Sequence, residues 1–214
     1  MIELAFAAAL MAQDLSQPDF THEEGLPWCD QLESDDRHED CALQPTDGRE
    51  LMAVFTFADG EWGQNGRMEV RTFEGRLLQA FDFETESFFY PSLDDINSDG
   101  RQDILVPLIT GNVNTEYAVF MGTEDGFLHQ PWQVSGFAVE AANEDGLIIA
   151  QSRGSAVDSY AEFYRFDGET VSAEASVLIS FANVDNPDDG PDCSLTDGGD
   201  GQAEAFYCSL AMAD

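Results

Sequence analysis

Lysine is absent from this 214-residue chain, and the only basic side chains are 8 arginines set against 43 aspartates and glutamates. Proteins that grip phosphate backbones neutralise them with Lys and Arg, so a formal net charge of -35 argues against DNA, RNA and anionic membrane surfaces as partners. Without lysine there is no Schiff-base nucleophile, and the sequence has neither a GxSxG elbow nor a phosphate-cradling glycine loop. Histidine is scarce: His22, His38 and His129 are scattered, without the HxH or HExxH spacing that a zinc site needs. No apolar run reaches membrane-spanning length, so no span is expected. Acid pairs are so abundant that any two could be nominated as a glycosidase dyad, and they therefore single out no enzyme. The expectation is a protein that binds rather than catalyses.

What is present starts with the charge itself. An acid excess of this size attracts basic proteins and divalent cations at long range, with a salt-screened rate advantage. It is equally the composition by which a halotolerant or marine organism acidifies its surfaces. With 43% hydrophobic residues the chain can still bury a core, as one domain or two small ones.

Residues 1–12 contain the small, apolar run Leu4–Ala12, followed at once by polar sequence. This resembles the h-region and cleavage zone of a secretory leader, although a basic n-region is missing. The alternative is a short buried N-terminal element. The cysteines support export. Cys29 and Cys41 share one acidic segment, Cys193 and Cys208 another, and neither spacing is CxxC. Local pairing within each segment is the simplest of the three connectivities; each short bridge would remove about 3 kcal/mol of denatured-state entropy. Such bridges persist in oxidising compartments, which implies a periplasmic or secreted protein. Leu26-Pro27-Trp28 before Cys29 is not a lipobox, so a soluble exported form is expected over a lipoprotein.

Residues 13–50 form an acidic, aperiodic arm. From residue 51 to 182 the texture becomes that of a β domain, with runs such as LMAVFTF, RMEVRTF, DILVPLI, EYAVFMG and YAEFYRF. Between the runs recur Asp59-Gly60, Asn65-Gly66, Glu74-Gly75, Asp125-Gly126, Asp145-Gly146 and Asp167-Gly168, dipeptides suited to tight hairpins. The predicted fold class is all-β: an antiparallel meander, propeller-like or sandwich-like, with an inserted calcium loop and few helices. Phe88, Phe89, Tyr90, Tyr117 and Phe120 are expected to pack between sheets. The tail, 183–214, is again acidic and carries DNPDDGPD, a proline-interrupted loop of weak calcium potential.

The most informative stretch is DDINSDGRQDILV, residues 94–106. Asp95, Asn97 and Asp99 alternate, Gly100 permits a sharp turn, the carbonyl of Arg101 follows, and Asp103 leads into an apolar run. Ca2+ takes six to eight oxygen ligands, and alternate side chains on a bent loop converge on one point. An EF-hand would place a bidentate Glu where this chain has Val106, so this is not an EF-hand. The other reading is an exposed, ion-free acidic hairpin.

The short form DxNxDGxxD entering a strand resembles the calcium loop of FG-GAP and VCBS-type β repeats. Beyond it, DILVPLITGNVNTEYAVFMGTEDGF and GLIIAQSRGSAVDSYAEFYRFDGETV resemble a group of exported bacterial proteins across roughly residues 75–180. The resemblance implies a propeller-like β fold and kinship with periplasmic immunity proteins that inhibit lysozyme-like peptidoglycan hydrolases delivered by type IV secretion. Inhibitors of that kind insert a polar loop with small residues and a tyrosine into the hydrolase cleft. Here Ser152, Arg153, Gly154, Ser155 and Tyr160 resemble that loop, with Ser152, Arg153 and Ser155 as candidates to hydrogen-bond catalytic carboxylates. The bland alternative is a turn whose arginine pairs with the chain's own acids. The expected partner is a basic, lysozyme-like hydrolase. The second reading is an FG-GAP-like adhesion module for a cell-surface protein or glycan.

Overall fold

A computed structural model describes residues 25–34, 37–182, 190–198 and 201–213. The leader-like segment 1–12 and most of the DNPDDGPD stretch lie outside the described residues. After a 3-10 turn at Cys29–Gln31 come strands β1 (Cys41–Leu43), β2 (Leu51–Asp59), β3 (Gln64–Thr72) and β4 (Leu77–Thr85), which pair in chain order as a first sheet. Next are β5 (Ser92–Asp94), β6 (Asp103–Thr110), β7 (Thr115–Phe120), the small hairpin β8 (Gly122–Thr123) and β9 (Gly126–Phe127), and β10 (Trp132–Gly136). The second sheet has the order β10-β7-β6-β5. A third sheet runs β11 (Ala138–Ala141), β12 (Leu147–Arg153), β13 (Asp158–Phe166), β14 (Val171–Ser180) and β15 (Asp192–Asp197), and helix α1 (Gly201–Ala211) follows. Among the described residues these strands all pair antiparallel, and a single parallel bridge joins Trp28, outside them, to Ala42 of β1. The fold is thus an all-β meander, with one short α-helix among the described residues.

The sheets stack face to face, and side-chain alternation decides which core each residue enters. Phe55, Met68 and Val70 of the first sheet meet Ile104, Val106, Ala118 and Phe120 of the second. From the opposite face of the second sheet, Leu105, Val119 and Val134 meet Ile148 and Ala150 of the third. The far face of the third sheet, with Leu147, Ile149, Phe163 and Val177, is covered by Cys208 and Ala211 of α1. Strands β6 and β12 are therefore buried on both faces, which is why DILVP and LIIA read as continuous apolar runs instead of alternating. Fully burying a side chain the size of Phe55, Phe120 or Phe163 stabilises the fold by about 1.5–3 kcal/mol.

The flanking segments join these sheets. The acidic arm supplies β1, and its Leu26 and Trp28 cover Ala42, Met52 and Val54 on the outer face of the first sheet. His38 is buried between the rings of Phe57 and Tyr90, with centroids 4.8 and 4.5 Å away. The tail supplies β15 and α1. Two disulfides are formed, Cys29–Cys41 and Cys193–Cys208. Among the described residues no helix is long and apolar enough to cross a membrane.

Two local expectations differ from the structure. Asn65-Gly66 is not a turn: it lies inside β3, and a Cβ on Gly66 would overlap the ring of Phe83. The glycine is there for close ring approach, as strand glycines often are. The β2–β3 hairpin instead closes through the Gly60 N–H and the Gly63 carbonyl, 2.9 Å apart. Of the aromatics expected to pack between sheets, Phe120 is buried and Tyr90 and Tyr117 are half-buried, whereas Phe88 and Phe89 are 40% and 41% exposed. They sit in the β4–β5 connection, beyond the edge of the stacked faces.

Candidate metal loop and recognition hairpin

The segment Asp95–Gln102 connects β5 to β6 and folds back on itself. Ser98 and Gly100 take left-handed backbone angles, with φ of 53° and 84°, and the double bend turns alternate side chains inward. The Asp99 N–H lies 3.0 Å from Asp95 Oδ1 and 3.2 Å from Asn97 Oδ1. Asp95 Oδ2 accepts from the Gly100 N–H at 2.9 Å, and Asp99 Oδ1 accepts from the Arg101 N–H at 2.8 Å. Oxygens of Asp95, Asn97 and Asp99 are thereby gathered around one turn of main chain. The Arg101 guanidinium reaches back to Asp99 Oδ2 at 3.4 Å.

Asp103 stands apart from that turn, as the first residue of β6 and fully buried. Its Oδ2 accepts from the Ile96 N–H at 3.1 Å and its Oδ1 from the Gly122 N–H at 2.6 Å. Burial pushes its carboxyl up to about 7 against the pull of these two donors, and the charges of Asp99 and Asp95 add to the rise. Asp103, at the start of β6 in the second sheet, thus ties the loop to β8 of the small β8–β9 hairpin. Among the described residues no three His, Cys, Asp or Glu side chains form a group that could hold a metal. Any ion here would depend on the Asn97 amide and main-chain oxygens as well as the carboxylates. A cleft of about 320 Å³ opens beside the loop, bordered by Asn97, Asp99, Arg101, Asp145 and Arg165.

Sequence reasoning missed the group that holds this end together. Asp47 and Arg49 are nearly buried, their side chains 4% and 10% exposed, and pair at 2.5 Å. Arg49 also donates to the carbonyls of Gln102 and Gly126 at 2.6 Å each, and its guanidinium lies 4.6 Å above the Phe127 ring. Asp47 Oδ2 accepts from the Gln102 N–H at 2.8 Å. Burial works against ionisation of Asp47, but hydrogen bonds from Arg49 and from the Gln102 and Arg49 main chain outweigh it and hold the carboxyl at about 2. In the linear sequence PTDGRE reads only as an acidic turn; its partners arrive from residues 102 and 126.

The second candidate element, Ser152, Arg153, Gly154, Ser155 and Tyr160, spans the β12–β13 hairpin at the opposite end of the sheets. Ser152 pairs with Tyr160 across the two strands. The Gly154 and Ser155 N–H groups both donate to the Asp158 carbonyl, at 3.0 and 3.1 Å. Ser155 Oγ donates to Asp158 Oδ2 at 3.0 Å and accepts from the Val157 and Asp158 N–H groups. The Ser155 hydroxyl therefore shapes the turn. Tyr160 lies over Gly154, where a Cβ would come within 2.5 Å of the ring, yet it remains 39% exposed. Asn114 holds the Arg153 main chain through bonds of 3.1 and 2.9 Å. The exposed Arg153 guanidinium has no ion-pair partner among the described residues. No protein-family model, curated protein or solved structure matches this chain.

Proposed function

We propose that this is an exported, calcium-stabilised, non-enzymatic β protein of propeller-like arrangement that binds and inhibits a basic, lysozyme-like peptidoglycan hydrolase. The observation that carries the reading is the β12–β13 hairpin. Its backbone is set by Ser155, Asp158 and Asn114, and it presents Tyr160 and an exposed guanidinium with no ion-pair partner among the described residues. A preset loop loses little entropy on docking, and Arg and Tyr are the side chains that most often dominate interfaces. A glycosidase cleft offers a pair of carboxylates for such an arginine. The net charge of -35 steers the whole chain toward a basic enzyme.

In this reading Ca2+ is held by Asp95, Asn97, Asp99, the Arg101 carbonyl and Asp103, and supplies charge compensation that ties the loop to β6. The convergence of Asp95, Asn97 and Asp99 oxygens supports it. The deciding measurement is the turbidity loss of cell-wall suspensions under a panel of basic lysozyme-like enzymes. The protein is expected to slow lysis by at least one of them, and Arg153→Ala to weaken that inhibition by about tenfold or more. Cell or glycan binding with lysis unaffected would instead support an FG-GAP-like adhesion module.

A further inference from the structure

Among the described residues, most of the exposed large apolar side chains gather at one end of the molecule. Alternate turns of an antiparallel meander fall at the same end of a stack. The end that carries the β2–β3, β4–β5, β6–β7 and β12–β13 connections exposes Trp62, Phe88, Phe89, Ile109, Val113 and Tyr160, with Trp62 at 73%. Direct contacts join these connections into one surface. Trp62 and Phe88 border a common cleft of about 320 Å³ with Ser87 and Glu86. The Phe88 and Phe89 ring centroids are 4.4 Å apart. Ser87 Oγ is 2.7 Å from Thr110 Oγ1 at the base of the β6–β7 hairpin, and Asn114 of that hairpin bonds the main chain of Arg153.

The cores between the sheets are filled by other residues, so these six are not needed to complete them. Exposed apolar side chains gathered at one end, with Trp62, Phe88 and Phe89 adjoining one another there, mark a place where another molecule sits. The acids around it say which molecule. Asp59, Glu61, Glu84 and Glu86 flank Trp62 and are all exposed, in a chain of net charge -35. A second copy would bring the same charge against itself, and polyanions would be repelled. A basic protein is attracted, and its Lys and Arg side chains can lay apolar stems and cationic heads on the aromatic faces.

We propose that this end of the molecule is the docking surface for a basic protein, anchored by Trp62 and Phe88 and steered by the glutamates around them. The proposal deepens the inhibitor reading and rests on it for the class of partner. It is tested by measuring binding of the full chain to a panel of immobilised, catalytically inactivated basic lysozymes, in parallel with lysis assays using the active enzymes. The variants are Trp62→Ala/Phe88→Ala, Trp62→Phe, which keeps an aromatic ring, and the control Phe73→Ala/Leu77→Ala, which removes exposed apolar side chains at the opposite end.

The expected result is a loss of affinity of about tenfold or more for the double alanine variant, with Trp62→Phe and the control close to the parent. Equal binding by parent and double variant overturns the docking surface and leaves the inhibitor reading standing. Binding that the double variant loses, but with lysis unaffected, supports the docking surface and overturns the inhibitor reading. Failure to bind any member of the panel overturns both.

Discussion

At the scale of single residues, the Asp47–Arg49 pair is the most consequential group outside the hydrophobic cores. It joins the acidic arm to the start of β6 and to the β8–β9 hairpin, and it does so almost out of water. Removing one partner strands the other charge, so Asp47→Ala is expected to cost about 3–5 kcal/mol in chemical denaturation. The pH dependence has a definite sign. A carboxyl held at about 2 when folded, against about 3.9 when unfolded, contributes stability above the unfolded value and loses it as pH falls toward the folded one. Denaturation midpoints measured between pH 5 and pH 2, on the usual carboxylate range, should fall more steeply for the parent than for Asp47→Ala. In the candidate metal loop, the calcium proposal predicts that Asp99→Ala abolishes the difference between melting temperatures in calcium and in chelator. A parent whose melting temperature ignores calcium defeats the calcium proposal. Gly100→Ala forces a side chain onto φ of 84° and should cost about 1–2 kcal/mol with or without calcium.

At the scale of elements, the third sheet and its helix depend on a covalent link. The Cys193–Cys208 disulfide joins β15 to α1 across a separation of 15 residues, and Cys208 is buried in the core that α1 closes. An 11-residue helix is too short to persist alone in water. Replacing both cysteines with serine is therefore expected to lower stability by about 3 kcal/mol and to collapse amide exchange protection in α1 before that of β12 and β13. In the first sheet, Gly66→Ala drives a methyl into the Phe83 ring. The predicted cost is about 1–3 kcal/mol, seen as a lower denaturation midpoint at unchanged slope.

At the scale of the whole molecule, charge sets the working conditions. A net charge of -35 spread over 214 residues makes the compact state repel itself. Monovalent salt is expected to raise the melting temperature steadily from low to physiological ionic strength, because screening weakens that repulsion. Calcium should add a separate, saturable increment that Asp99→Ala removes. On the docking proposal the same acids that burden the fold would steer a basic partner, since the end that exposes Trp62, Phe88 and Phe89 is also bordered by Glu61, Glu84 and Glu86.

The sequence by itself determined the class of the fold and most of the places where the chain bends, Asn65-Gly66 excepted. β-rich runs and Asp-Gly dipeptides such as Asp145-Gly146 and Asp167-Gly168 act locally, and a hairpin forms wherever local backbone preference and alternation agree. It also disclosed the spacing of the Asp95–Asp103 loop, since that pattern lies within nine consecutive residues. Helix α1 was less legible, because QAEAFYCSLAMA has helix-forming residues but its apolar face appears only once the third sheet supplies something to cover. Tertiary structure alone decided that Asn65-Gly66 is strand, that Asp47 and Arg49 clamp residues 102 and 126, and that Trp62, Phe88 and Tyr160 share one end. Each of these depends on bringing together segments far apart in the chain, and pairing across such distances is set by the packing of sheet on sheet, which no local pattern encodes.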